Sequence, residues 1–205
     1  FSVFIIPLGV DVAKLANFKY TKDEARQKLN IKTQGTLIGV IGRIDPDKGQ
    51  KFLVESVIEL RKQGVDISLL IFGSPTVNSD WSQKYYEELK SLVRDNNLGD
   101  RIYFQGHSKD VQLFYNAVDI FTMSSKSETF GMVTVESLIS GVMVIGANTG
   151  GTPELLENGA LGLVYEYGNI IDYCEKVKWV IDHDQEAAKM TQEARIIAIK
   201  KYSDR

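Results

Sequence analysis

The sequence predicts an α/β fold in which a parallel sheet of about six strands carries helices on both faces. Short, continuous apolar runs alternate along the chain with longer segments of helical periodicity. An apolar run without polar alternation is typical of a parallel strand that is covered on both faces. Strands that alternate with helices favour a parallel sheet with right-handed crossovers, which is a Rossmann-like arrangement.

The strands follow from the apolar runs, the first of which reads Thr-Leu-Ile-Gly-Val-Ile-Gly. Each run is four to seven residues long and ends at glycine or at polar residues, which is typical of strands. The predicted strands are 36–42, 67–73, 101–105, 119–124, 142–146 and 161–164.

The helices follow from apolar residues at helical spacing, such as Leu53, Val57 and Leu60 in the second helix. Thr21 fits the N-cap of the first helix, because Glu24 three residues later completes a capping-box pattern. The predicted helices are 21–29, 48–63, 81–97, 111–117, 132–140, 153–157 and 172–183. We interpret residues 1–20 as a turn-rich linker and residues 21–205 as one domain.

Composition excludes several classes of protein. The 205 residues are 43% hydrophobic and 25% charged with a net charge of -3, which is ordinary for a soluble globular domain and unlike a nucleic-acid binder. No run approaches the roughly 20 apolar residues that span a bilayer. The single Cys174 fits a reducing compartment, and we expect a cytoplasmic location. The chain starts without Met or a signal peptide and is expected to be part of a longer protein.

Two glutamates lie in and after the loop that follows the fourth predicted strand. Glu128 precedes the helix at 132–140, and Glu136 lies inside it among apolar residues. A buried carboxylate without a partner is strongly unfavourable or takes up a proton, so Glu136 needs a partner. An internal Arg or Lys is one candidate, and the hydroxyl groups of a ligand are the other.

The start of that helix offers an anion site between the two glutamates. If the helix begins near Gly131, Glu136 lies roughly 7–8 Å further along its axis. The free backbone N–H groups of Phe130, Gly131 and Met132 then lie between the carboxylates. An acid/base pair of the kind that glycosidases use fits this arrangement less well than opposite ends of one ligand. A nucleotide-sugar has this form, with phosphates in its middle and hydroxyls at both ends.

The loop after the first strand carries two cations, Arg43 and Lys48, that could clamp a diphosphate. Solvation of these cations, or pairing with Asp45 and Asp47, is the alternative. Asp-Pro-Asp at 45–47 also has the form of a divalent-metal site, but the central proline makes a turn the better explanation. A second glycine loop, at Gly150 and Gly151, permits close backbone approach to a ligand or forms a tight turn.

Together these motifs resemble those of the retaining GT-B glycosyltransferases, glycosyl transferases group 1. This group includes bacterial glycogen synthase, sucrose synthase and many capsule and lipopolysaccharide enzymes. The resemblance rests on Glu128 and Glu136 with seven residues between them. Supporting motifs, in chain order, are 6–11, 42–43 with 48–49, 150–154, and 157–159 with 162–164. The chain is similar to the C-terminal, donor-binding half of such an enzyme, which is one half of a GT-B fold.

The resemblance implies a role for each site residue. Arg43 and Lys48 would neutralise the donor diphosphate, and Glu128 would hold sugar hydroxyls, so these three are the implied catalytic residues. Glu136 would bind the ribose. The remaining implied donor-binding residues are Gly42, Gln105 near the base, and the amides of Phe130, Gly131 and Met132.

The resemblance also implies the partners of the chain. The donor is a nucleotide-diphosphate sugar, with no cofactor and no metal, and the acceptor site belongs to an N-terminal domain outside the chain. The fragment alone is therefore expected to be inactive, and any membrane association would occur through the missing half. The alternatives are a non-catalytic nucleotide-sugar-binding module, or another GT-B enzyme such as an epimerase or a phosphorylase. Met143 departs from the family, which often has proline there.

Overall fold

The computed structural model describes residues 10–33, 35–128 and 131–203. These residues form a sheet of six parallel strands in the order β3-β2-β1-β4-β5-β6. The strands are β1 (Thr36–Ile41), β2 (Ile67–Phe72), β3 (Ile102–Gln105), β4 (Ile120–Met123), β5 (Met143–Ala147) and β6 (Leu163–Tyr165). The predicted fold class is confirmed, and each predicted strand agrees with the structure to within two residues at either end.

Helices cover both faces of this sheet. They are α1 (Val12–Ala16), α2 (Lys22–Lys28), α3 (Gln50–Lys62), α4 (Asp80–Asp95), α5 (Gln112–Ala117), α6 (Met132–Ile139), α7 (Thr152–Leu155), α8 (Ile170–Asp182) and α9 (Asp184–Ser203). The capping box predicted for α2 is present, because Thr21 N–H donates to the Glu24 carboxylate at 2.8 Å and Glu24 N–H donates to the Thr21 hydroxyl at 3.2 Å. Within the described ranges, none of the helices combines the length and the hydrophobicity that crossing a bilayer requires.

Two hydrophobic clusters fill the space between the sheet and the helices. Leu37 and Ile38 are neighbours in β1, yet they contribute to opposite clusters because successive strand residues point to opposite faces. Helices α3, α4 and α8 pack on the face that holds Ile38, whereas α1, α2, α5, α6 and α9 contribute to the cluster that holds Leu37. Both faces of the central strands are therefore buried, as their continuous apolar sequence predicts.

Two helices were not predicted from the sequence, α1 and α9. Helix α1 lies inside the segment that we interpreted as a linker and packs against α6 and α9. Helix α9 buries only alanines, namely Ala187, Ala194 and Ala198. The guanidinium of Arg195 joins both helices to α6, because it donates to the Ile139 carbonyl at 3.1 Å and to the Ala16 carbonyl at 2.6 Å. The predicted motif at residues 6–11 lies mostly outside the described residues.

The strand order reverses direction between β1 and β4. From β1 the chain builds outward through β2 and β3, and it then returns to the other side of β1 and builds outward through β4, β5 and β6. In open parallel sheets such a switch point leaves a crevice beyond the carboxyl ends of the two strands, and ligands bind there. The loops that follow β1 and β4 border this crevice.

Candidate functional site

Lys48 and Glu128 meet at the switch point. Lys48 follows β1, Glu128 follows β4, and Lys48 Nζ donates to Glu128 Oε2 at 2.8 Å, although 80 residues separate them in sequence. Both side chains keep partial access to solvent, with 28% and 22% exposed. The alternative in which Lys48 pairs with Asp45 or Asp47 is therefore wrong, because its carboxylate partner is Glu128. Because β1 and β4 are neighbours in the sheet, the carboxylate of Glu128, which is distant in sequence, lies within hydrogen-bonding distance of Lys48.

Backbone contacts fix the two loops against each other. The Ser124 hydroxyl donates to the Lys48 carbonyl at 2.7 Å, and Lys126 N–H donates to the Asp47 carbonyl at 2.8 Å. The Asp45 carboxylate accepts from Asp47 N–H at 3.0 Å and caps a short 3₁₀ turn. Asp45 thus serves the turn, and among the described residues no group of three or more metal-binding side chains converges.

Arg43 lies on the same loop and is exposed. Its carbonyl accepts from the Gln50 side chain at 2.7 Å, which holds the backbone, while its guanidinium contacts no carboxylate among the described residues. Gly42 directly follows β1, and its N–H donates to the Phe72 carbonyl at 3.0 Å. The loop therefore offers one cation paired with Glu128 and one that is free to reach a ligand.

The loop at 149–151 supports the backbone of Glu128. Gly151 N–H donates to the Glu128 carbonyl at 3.1 Å, and the Thr149 hydroxyl donates to the Ser125 carbonyl at 2.8 Å. Gly150 has φ +53°, and a Cβ atom there would lie 2.3 Å from the Glu128 carbonyl oxygen. The close approach that two glycines permit is thus made to Glu128 itself.

Helix α6 begins where the sequence predicted, with Gly131 as its N-cap and Met132 as its first residue. The N–H groups of Gly131 and Met132 donate to no acceptor among the described residues, and the first amides of a helix are groups that can bind an anion. Phe130, the third predicted contributor, lies outside the described residues.

Glu136 lies just over one turn into α6 and is half-buried. Its partner is the hydroxyl of Tyr115, which donates to Glu136 Oε2 at 2.7 Å. Of the two partners that we considered, Arg or Lys is therefore wrong, and Oε1 accepts no hydrogen bond from any described residue. Burial, reinforced by the negative charge of Glu136, raises the pKa of Tyr115 well above its usual range. Tyr115 thus stays protonated and remains a donor.

Gln105 ends β3, at the carboxyl edge but two strands away from Lys48. Its side chain donates to the Leu29 carbonyl at the end of α2 at 2.6 Å, and its carbonyl accepts from Gly73 N–H at 2.8 Å. Its polar groups therefore serve the fold in this structure, by holding the end of β3 to α2 and to the residue after β2.

A cavity of about 1080 Å³ lies elsewhere. It is lined by the first residues of three strands, Thr36, Ile120 and Met143, so it opens at the amino edge of the sheet. The convergent charges lie at the opposite edge, where Lys48, Glu128 and Ser124 line a small hollow. We place the candidate site at the carboxyl edge, because the paired charges and the first turn of α6 occur together there.

Comparison with known proteins shows the family of this chain. The sequence pattern of the family described as glycosyl transferases group 1 matches residues 21–196. The chain belongs to this family. The resemblance noted from Glu128 and Glu136 is thereby confirmed.

Curated relatives in the family are longer than this chain. The D-inositol 3-phosphate glycosyltransferase of Corynebacterium efficiens is 26% identical over 198 residues, which cover 94% of this chain and 46% of that protein. The lipopolysaccharide core biosynthesis mannosyltransferase LpsB of Rhizobium meliloti is 27% identical over 194 residues, 95% of this chain and 52% of that protein. The chain thus spans about half the length of the curated relatives it matches.

Solved structures share the fold. HepE of Anabaena in complex with UDP superposes with a TM-score of 0.84 at 25% identity, over 95% of this chain and 52% of HepE. The C-terminal domain of LpcC from Francisella tularensis gives a TM-score of 0.82 at 24% identity and is covered over 98% of its length. The fold of this chain is therefore the fold of one half of a GT-B glycosyltransferase.

Sequence reasoning missed two residues that shape the site, Tyr115 and Ser124. Tyr115 is buried in α5 and Ser124 follows β4, and each acts through a partner that is distant in sequence. No local pattern marks such a partner. A tyrosine in a predicted buried helix is nevertheless a signal, because a buried hydroxyl needs an acceptor.

Proposed function

We propose that this chain is the donor-binding domain of a retaining glycosyltransferase and that it binds a nucleotide-diphosphate sugar. The observation that carries the proposal is the meeting of Lys48 and Glu128 at the switch point, beside the N-terminus of α6. A lysine and free helix amides suit phosphate, and a carboxylate suits sugar hydroxyls. One ligand with both groups matches the crevice.

In this proposal each residue meets one part of the donor. Lys48 and Arg43 bind the diphosphate, and Glu128 exchanges its bond with Lys48 for bonds to sugar hydroxyls. The amides of Gly131 and Met132 face the sugar and phosphate, while Glu136 accepts from the ribose. The backbone at Gly42 and Gln105 borders the diphosphate and the base, respectively.

The same groups would assist the departure of the nucleotide diphosphate. Negative charge develops on the leaving phosphate as the sugar bond breaks, and two cations with a helix N-terminus stabilise that charge. In the retaining route that the family implies, the acceptor approaches on the same face as the leaving phosphate, whose oxygen takes the acceptor proton. The acceptor would be held by a second domain, so the chain alone is expected to transfer no sugar.

The single buried thiol, Cys174, supports our proposal of a cytoplasmic location.

Calorimetric titration of the chain with UDP-glucose, GDP-mannose and ADP-glucose tests the proposal. HepE was solved with UDP-glucose, and a relative from Mycobacterium tuberculosis, 26% identical, is a GDP-mannose-dependent mannosyltransferase, so more than one base needs to be tried. Saturable binding of at least one donor, tighter than binding of the free sugar, is the expected result. Absence of binding to all three at millimolar ligand would contradict the proposal.

Replacing Gly150 by Ala is expected to lower donor affinity about tenfold and stability by about 2 kcal/mol. The new methyl group overlaps the Glu128 carbonyl oxygen, so the 149–151 loop and Glu128 must move apart. Gly64→Ala is the matched control, because Gly64 also has a positive φ, +83°, but open space around its Cβ position. Calorimetry and urea unfolding measure both effects. Equal donor affinity in the two variants would show that the loop does not position Glu128.

A further inference from the structure

The bond between Tyr115 and Glu136 joins two elements that are distant in sequence. Tyr115 is 2% exposed in α5, and its ring packs edge-on against Phe114 with centroids 5.2 Å apart. Its hydroxyl is confined because the side chain is almost completely buried. Glu136, by contrast, is a long side chain in a half-buried place, with several rotamers available to it.

A hydrogen bond from a fixed donor selects among those rotamers. Tyr115 occupies Glu136 Oε2, and Oε1 accepts nothing from the described residues. A carboxylate that is held by one oxygen can present the other oxygen to a vicinal diol. Because its side chain is already ordered, little further rotamer entropy is lost when the diol binds. The ribose of a nucleotide carries such a diol.

We propose that Tyr115 is a positioning residue that sets the preference of the site for ribose, by holding Glu136 in its hydroxyl-binding orientation. This inference rests on the proposed function, in which Glu136 binds the ribose. A purely structural role for the Tyr115 hydroxyl predicts a loss of stability only. A positioning role predicts a change in the ratio of affinities for ribose and deoxyribose nucleotides.

The experiment compares UDP and GDP with their 2′,3′-dideoxy counterparts by calorimetry, on the wild-type chain and on Tyr115→Phe. The wild-type chain is expected to prefer the ribose form of the nucleotide it binds by at least tenfold. Tyr115→Phe is expected to reduce that preference about fivefold to tenfold, through weaker binding of the ribose form alone. Phe keeps the ring and its packing, and a thermal melt reports the folded fraction.

Tyr173→Phe is the matched control. Tyr173 is fully buried in α8, and its hydroxyl shares a 2.7 Å hydrogen bond with Thr122 on the other face of the sheet. Loss of this hydroxyl is expected to lower stability and leave the ribose preference unchanged. Because the control removes an equally buried bonded hydroxyl, it separates a change in stability from a change in positioning.

Glu136→Gln separates failure of this inference from failure of the proposed function. If the wild-type chain binds no nucleotide, or if Glu136→Gln keeps the full ribose preference, the proposed role of Glu136 is wrong and the inference falls with it. If Glu136→Gln loses the preference while Tyr115→Phe retains it, only the role of Tyr115 is overturned. The inference is supported when both variants lose preference and the double variant loses no more than Glu136→Gln alone.

Discussion

Replacing Lys48 by Met is expected to weaken binding of the nucleotide-sugar about 100-fold, which corresponds to about 2.7 kcal/mol. The substitution removes a charge-assisted bond to the diphosphate. It also removes the cation that lies 2.8 Å from the Glu128 carboxylate, so this carboxylate is left unpaired beside two phosphates. Met has a similar unbranched stem, so the packing of the Lys48 methylenes is preserved. Calorimetry with the donor that the wild-type chain binds measures the effect.

The control for this change is Lys62→Met. Lys62 is an exposed lysine and the last residue of α3, at the end of that helix that lies far from the crevice. Its removal changes the net charge by the same amount, and donor affinity is expected to change less than twofold at moderate ionic strength. Equal losses in the two variants would mean that Lys48 acts only through the overall charge of the chain, and its assignment to the diphosphate would be withdrawn.

Replacing Gly73 by Ala is expected to lower the free energy of unfolding by about 3–5 kcal/mol. Gly73 has φ +157°, and a Cβ atom at this position would lie 1.8 Å from the carbonyl oxygen of Gly42. Gly42 continues the β1–β2 ladder, since its N–H donates to the Phe72 carbonyl, and Gly73 continues the β2–β3 ladder, since its N–H donates to the Gln105 carbonyl. The clash involves backbone on both sides, so the carboxyl ends of these strands must separate.

Gly99→Ala is the comparison for Gly73→Ala. Gly99 has open space around its Cβ position and no positive φ, so its replacement is expected to change stability by less than about 0.5 kcal/mol. Urea unfolding followed by tryptophan fluorescence measures both variants. If Gly73→Ala and Gly99→Ala have the same free energy of unfolding, the ends of β1 and β2 do not need the close approach that the structure has at Gly42 and Gly73.

The sheet was predictable from the sequence because its information is local. Each buried parallel strand needs a short apolar run, and the runs at β1 and β2 supply one each, with Ile67–Phe72 buried throughout. The start of α6 was predictable for the same reason, since Gly131 lies between a largely polar loop and an apolar segment. Strand order was not predicted, because it depends on contacts between residues far apart in the chain.

Helix α9 escaped prediction for a physical reason. Its buried face is made of Ala187, Ala194 and Ala198, which let the helix lie close to its neighbours but contribute little to a hydrophobic pattern. The spacing of these alanines by seven and four residues is nevertheless helical, and it is the signal that was available. Helix α1 is only five residues long, too short for periodicity to indicate it.

For the site, the sequence indicated which residues carry charge at the carboxyl edge but not which of them meet. Lys48 and Glu128 were each singled out, and their pairing followed only from the adjacency of β1 and β4. The partner of Glu136 was expected to be a cation or a ligand, because a buried carboxylate needs compensation, and a tyrosine hydroxyl was overlooked. Partner choice over such distances is a property of the tertiary structure.

The ion pair between Lys48 and Glu128 bears on competition from the small anions that any cell contains. An anion without sugar hydroxyl groups, such as inorganic pyrophosphate, competes with Glu128 for Lys48 and adds negative charge beside the Glu128 carboxylate. A nucleotide-sugar offers a new partner to both residues at once. In the proposed site the pair therefore favours ligands that carry both a diphosphate and sugar hydroxyls. Calorimetry is expected to show far weaker binding of pyrophosphate than of the donor. Glu128→Gln, which removes the carboxylate charge, is expected to reduce the difference in affinity between the donor and pyrophosphate.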